Sequence, residues 1–314
     1  MKYAPETPLP EDAPVVGINA SFNTYTLFPL YYNFFTQLGF KVILPDNCDE
    51  EGLERETASF CYPAQLSMGL FHNLIEQKPD YYFLPVIYEM HVNNEDYHRL
   101  DFNCSCVFVS GEAMYLKQTF KDLVDDKNII SPGLNFASGW HSELKTFLQI
   151  AAQLGIKNTD TARRAFEYAV KMQDDFQEEL FAMGRSFLEE LKRDPEKMAM
   201  VLIGRPYNSF TDIANKGIPQ KYASRGVYIL PYDMFDYRDY PVDDEMYWEG
   251  GKKILKSAKI VKENPQLFAT YISNFSCGPD SMIISTFRNI MGDKPSLTLE
   301  LDSHSADAGI NTRI

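Results

Sequence analysis

Short apolar runs alternate with longer helical stretches from Val15 to Leu301, and no other feature of this chain limits its fold as tightly. Runs of three to six apolar residues bounded by Gly, Pro, Asp or Asn have the length of buried strands. The segments between them carry the period of amphipathic helices. In the first part of the chain the pattern predicts strands at 15–18, 41–45, 81–85 and 107–109, and helices at 27–38, 63–77 and 112–123. Pro63 sits near the start of one helix and Pro79 beyond its end, where each is tolerated. Strands separated by helices build parallel sheets covered on both faces.

The alternation then repeats. Strands are predicted at 200–203, 227–231, 267–272 and 297–301, with helices at 213–224, 244–263 and 280–291. The two halves share wording as well as rhythm. Gly39-Phe40-Lys41-Val42-Ile43-Leu44-Pro45 is echoed by Gly226-Val227-Tyr228-Ile229-Leu230-Pro231, and Val16-Gly17-Ile18 by Leu202-Ile203-Gly204. Each half also places a cysteine and a nearby proline ahead of a helix. The expected architecture is therefore α/β, with two flavodoxin-like parallel-sheet lobes related by duplication and joined by a helical segment. The expected boundaries are 1–140 for the first lobe, 141–195 for a charged helical connector with a break near Gly155 and a cap at Thr159 or Asp160, and 196–314 for the second lobe.

Composition narrows the function classes. The chain has 314 residues and a formal net charge of −14, with no basic patch to meet a phosphate backbone, so nucleic acid is not an expected partner. No run approaches the roughly 20 apolar residues that span a bilayer. The start, Met1 to Pro14, lacks the basic and apolar regions of a signal peptide. The five cysteines, Cys48, Cys61, Cys104, Cys106 and Cys277, are an odd number in a chain too long for a disulfide scaffold. A reducing, cytoplasmic setting is expected.

Three of those cysteines carry the chemical argument. Cys61-Tyr62-Pro63 and Cys277-Gly278-Pro279 each put a thiol in the loop before a helix, where free N–H groups and partial positive charge favour thiolate. Gly278 allows a close approach to the backbone. Cys104-Ser105-Cys106 precedes the predicted strand at 107–109. Convergence of Cys61, Cys106 and Cys277 would offer three thiolates to an iron–sulfur cluster. The competing reading is that they are small buried hydrophobes. Arg205, in Gly204-Arg205-Pro206-Tyr207-Asn208, is a candidate contact for an anionic ligand or turn residue. Glu89, His91 and His98 are expected in a long loop. Asp302-Ser303-His304-Ser305-Ala306-Asp307 reads first as a turn and cap, second as a metal site.

Taken together, Thr26-Leu27-Phe28-Pro29-Leu30, Cys61-Tyr62-Pro63-Ala64, Tyr82-Phe83-Leu84-Pro85, Gly204-Arg205-Pro206-Tyr207-Asn208, Met246-Tyr247-Trp248, Asn274-Phe275-Ser276-Cys277-Gly278-Pro279-Asp280 and Leu299 to Gly309 resemble one family. It is the activase-related region of large 2-hydroxyacyl-CoA dehydratase activase-like proteins, related to the dehydratase subunits and the double-cubane cluster proteins. The resemblance runs from about Val15 to the C-terminus. It implies oxygen-sensitive, low-potential electron transfer through an iron–sulfur cluster, either [4Fe-4S] or part of a double cubane, in an anaerobic cytoplasm. It implies Cys61, Cys106 and Cys277 as metal ligands, with Cys104 the alternative to Cys106, and an ATP-dependent activase domain or subunit as electron donor. Val107 stands where the family has proline and Ser303 where it has an acidic residue. The chain stops at Ile314, where the family continues into a helix, which is expected of a domain cut from a larger protein. An acyl-CoA-binding dehydratase (lyase) subunit and a non-redox interaction domain are the alternative readings. A homo- or heterodimer is compatible with each.

Overall fold

A computed structural model describes residues 2–56, 61–92, 103–238, 240–241 and 246–314. It is an α/β structure with parallel sheets, and it divides into two compact units. The first comprises the described residues of Met1–Ser59, Pro63–His91 and Ser105–Gln177. The second comprises those of Phe60–Tyr62, Val92–Cys104 and Glu178–Ile314. The long helix Thr159–Lys192 contributes its first part to one unit and its last part to the other. Its cap is Asn158, whose Oδ1 accepts from the N–H groups of Asp160 and Thr161, rather than Thr159 or Asp160. No helix among the described residues is long and apolar enough to cross a membrane.

The first unit is built on β1 (Val15–Ile18), β2 (Lys41–Ile43), β3 (Tyr81–Phe83), β4 (Val86–Glu89), β5 (Ile129–Ile130) and β6 (Gly133–Asn135). All pairings are parallel, and one sheet runs β2-β1-β3-β5. β4 and β6 prolong β3 and β5: the ladder continues through Leu84 N–H to Ile130 O and Val86 N–H to Pro132 O. Pro85 and Pro132, which lack an N–H, divide each strand in two. The helix Thr24–Gln37 covers one face, with Tyr31 and Phe35 edge-on to Phe83 and Phe34 edge-on to Phe147. On the other face Phe71, Leu74, Tyr82, Leu116 and Phe120 close the core.

The second unit is built on β7 (Ala199–Ile203), β8 (Tyr228–Pro231), β9 (Leu267–Asn274) and β10 (Ser296–Leu301), all parallel, in the order β10-β9-β7-β8. Numbered within each unit, both sheets read 2-1-3-4. Each therefore reverses winding beside its first strand, between strands 1 and 3, and the crevice at the carboxyl ends there is the expected ligand position of such a sheet. Val201, Ile203, Ala269, Tyr271, Ile283 and Phe287 form one face of this core, and Leu202, Ile218, Ile272 and Leu299 the other. The central strands β7 and β9 are buried along nearly their whole length, which explains the unbroken apolar run of β7, whereas the edge strand β10 alternates in burial and polarity.

Several expectations are corrected. Residues 107–109 are not a strand: Val107–Ser110 is one turn of helix. A Val-Phe-Val triplet carries β-propensity only where a neighbouring strand accepts it. That neighbour place belongs to Ile129–Ile130, too short to show a pattern. The stretch 213–224 is interrupted by Lys216 and Gly217, both at positive φ, into Asp212–Asn215 and Ile218–Ala223. Glu89 lies in β4 rather than a loop, and His91 Nδ1 meets the Ala137 carbonyl at 3.0 Å. His98 and the segment 242–245 lie outside the described residues. Asp302 and Ser305 form the turn expected of them, with His304 N–H and Ser305 Oγ both donating to Asp302 Oδ1.

Candidate functional site

At the switch point of the second unit, Gly204 leaves β7 at φ +144, and a Cβ there would stand 2.4 Å from the Ile272 carbonyl oxygen. Only glycine fits that approach. It delivers Arg205 into a buried polar network. Arg205 Nη2 donates to Asp280 Oδ2 and Asn274 Oδ1, each at 2.6 Å, and Nη1 reaches Tyr207 Oη at 3.4 Å. Asp280 also accepts from Tyr271 Oη and Ser273 Oγ, both at 2.9 Å. Asn274 Nδ2 donates to Asn208 Oδ1 at 3.0 Å. Burial works against the guanidinium's charge, and the carboxylate of Asp280, aided by Tyr207 and Cys277, holds its pKa above the ordinary value. Arg205 Nε has no hydrogen-bond partner. The guanidinium expected to meet an anionic ligand is thus held by the protein's own carboxylate through its Nη2, and Nε–H is its unpaired donor.

Asp280 belongs to the first turn of the helix Gly278–Met291, and Cys277 is the residue that caps it. Ser276, just before, has φ +61, a left-handed conformation rare for a residue with a Cβ. A Cβ on Gly278 would meet nothing within 4 Å, so the approach to this helix start is open. Phe275 and Met282 are exposed around it.

Cys61 and Cys106 also precede helices, of 15 and four residues, with Cys61 partly exposed and Cys106 buried. Cys61 immediately precedes the helix Tyr62–Glu76, and Cys106, in extended conformation, precedes Val107–Ser110. No disulfide joins cysteines among the described residues. Cys104 is placed differently. Its N–H donates to Tyr247 O at 2.9 Å and its carbonyl accepts from Glu249 N–H at 3.1 Å, in a bridge to Trp248. Cys48 packs against Gly69, and burial pushes its thiol up to about 11. Strand order also corrects the pairing of motifs. Cys106 and Cys277 both precede the connection from third to fourth strand, whereas Cys61 precedes the connection from second to third, the place of Trp248 in the second unit.

The first unit's switch point holds a carboxyl that sequence reading missed. Glu112 Oε1 accepts from Asn19 Nδ2 at 3.0 Å and from Ser21 Oγ. Asn19 Nδ2 also donates to Ser67 O at 3.2 Å, and Ser67 Oγ meets Tyr115 Oη at 2.7 Å. Burial raises the pKa of Glu112 to about 7, against the lowering pull of Ser21 and Asn19. Phe22, in the same loop, has φ +41. The signal for this site was the alternating polar set Asn19, Ser21 and Asn23 directly after a strand.

Soft thiolates suit an iron–sulfur cluster, and three thiols beside helix starts fit that donor chemistry locally. Among the described residues, no group of three or more His, Cys, Asp or Glu side chains is gathered as a metal site. The model of the CoA enzyme activase uncharacterised domain matches residues 15–235. The chain belongs to this family. No curated protein and no solved structure matches it. The activase-related match takes in Cys61, Cys104, Cys106, Glu112 and Arg205 and ends before Cys277.

Proposed function

We propose that this activase-related domain is an iron–sulfur electron-transfer module of a 2-hydroxyacyl-CoA dehydratase and activase-like system, with Cys61, Cys106 and Cys277 as its cluster ligands. The supporting observation is that these three cysteines, and neither Cys48 nor Cys104, each stand directly before a helix. Free N–H groups at a helix start can donate to a sulfur, and thiolate is the ligating form. Cys106 is preferred to Cys104 because it alone shares that setting. Arg205 lies close enough to Cys277 for the two to interact electrostatically. Among the described residues no group of three or more His, Cys, Asp or Glu side chains is gathered as a metal site. The cluster would supply low-potential one-electron chemistry, fed by an ATP-dependent activase.

The test is iron and acid-labile sulfide after anaerobic reconstitution. The proposal expects about four of each per chain for a [4Fe-4S] centre. Cys61→Ser, Cys106→Ser and Cys277→Ser should each lose most of it, whereas Cys48→Ser and Cys104→Ser keep it. Wild-type protein that takes up no more iron than the triple variant would rule the cluster out.

A further inference from the structure

Both switch points bury a carboxyl group, and only one of them supplies its counter-charge. In the second unit Arg205 neutralises Asp280. In the first unit no lysine, arginine or histidine among the described residues pairs with Glu112, and burial is not offset there by any cation. Its titratable neighbours are phenols: Tyr31, from the helix Thr24–Gln37, is close enough for the carboxylate to act on it, and Tyr115 of Glu112's own helix is bonded to Ser67.

Two buried side chains near the same carboxyl, Asn19 and Tyr31, carry unpaired polar atoms. Asn19 is buried, and its Nδ2 is fixed by two acceptors, the Ser67 carbonyl and Glu112 Oε1. These two bonds set the orientation of the amide, and its Oδ1 has no partner. Tyr31 Oη is also buried without one. Buried polar atoms of this kind are few in folded proteins and ask for an explanation. The carboxylate and the amide oxygen are acceptors, and the Tyr31 phenol can accept as well as donate, so a cationic donor would satisfy all three. That is what a guanidinium provides in the other unit.

We propose that the carboxyl end of β1 binds a small monovalent cation, the ammonium group of a primary amine or a potassium ion, through Glu112, Asn19 Oδ1 and Tyr31 Oη. Binding is tied to ionisation of Glu112. The cation takes the place of the proton, so its affinity rises with pH through the neutral range, and binding releases a proton wherever the carboxyl is still protonated.

The experiment measures the thermal unfolding midpoint of the full chain against concentration of methylammonium chloride and of potassium chloride. Tetramethylammonium chloride at equal ionic strength is the control, being too large and unable to donate. The expected result is a rise in midpoint specific to one or both test cations, with apparent affinity about tenfold higher at pH 8 than at pH 6, as expected of a carboxyl titrating near 7. A response to methylammonium alone identifies an amine ligand, and an equal response to potassium identifies the free ion. Glu112→Gln should abolish the specific rise. Equal midpoints in all three salts, a rise without pH dependence, or a rise that survives in Glu112→Gln would each overturn the proposal. The wild-type pH comparison decides it even if that variant does not fold.

Discussion

Glu112 in the first unit and Asp280 in the second stand in corresponding places, on helices leading from the third strand to the fourth, a few residues beyond Cys106 and Cys277. One is left to titrate near 7 and the other is bound to Arg205. The sheets share strand order and parallel pairing, so the backbone does not impose this difference. It comes from the residues just past the first strand: Asn19-Ala20-Ser21 in one unit, Gly204-Arg205-Pro206 in the other. A single cation placed two residues beyond a strand gives one buried carboxylate a partner that the other lacks. Two sheets of the same strand order can thus differ in the charge balance of their crevices.

Breaking the built-in pair should have the largest effect. Arg205→Ala leaves a carboxylate buried without charge compensation and should cost about 3–5 kcal/mol in chemical denaturation. Next is the pH response. Because the folded pKa of Glu112 is raised, the folded state keeps a proton that the unfolded chain releases at the ordinary value. Its contribution is present in acid and is lost as pH rises to about 7, an effect of about 3 kcal/mol. Glu112→Gln should remove that share of the slope in unfolding free energy between pH 4.5 and 7. Asp233 in the second unit is also raised to about 7 by burial, so Asp233→Asn should remove a separate share.

The glycines at the two first strands sharpen the comparison further. Gly204→Ala meets backbone and a positive φ, whereas Gly17→Ala meets the side chains of Pro79 and Leu74 at 2.9 and 3.0 Å. The first should fall at the top of the about 1–3 kcal/mol range for overpacking and the second at its bottom. The smallest effect is the cap of the long helix. Asn158→Ala should cost about 1 kcal/mol, visible as a lowered thermal midpoint.

How much was legible in the sequence depends on the reach of each signal. Apolar runs at Val15–Ile18 and Ala199–Ile203 are strands because both faces are covered, and the repeat of Gly39 to Pro45 in Gly226 to Pro231 reflects a shared 2-1-3-4 order. Ile129–Ile130 is too short to carry a period, and Val107–Ser110 carries a strand's composition in a helical turn. The helix starts at Cys61 and Cys277 were readable from the prolines two residues on. Cys106 lacks that proline, so its equivalence to Cys277 emerged only from topology. Glu112 was unreadable because nothing local distinguishes a buried glutamate from an exposed one. Its partners Asn19 and Ser21 lie more than 90 residues away.

The difference between the units is tested most directly by titrating Glu112 itself. Carboxyl 13C shifts of glutamate-labelled full chain, with the resonance assigned through Glu112→Gln, would track its ionisation from pH 4 to 9. A midpoint near 7 is expected. A midpoint at the ordinary glutamate value, about 4.3, would mean that a cation or solvent already reaches this carboxyl, and that the two crevices do not differ in the way described.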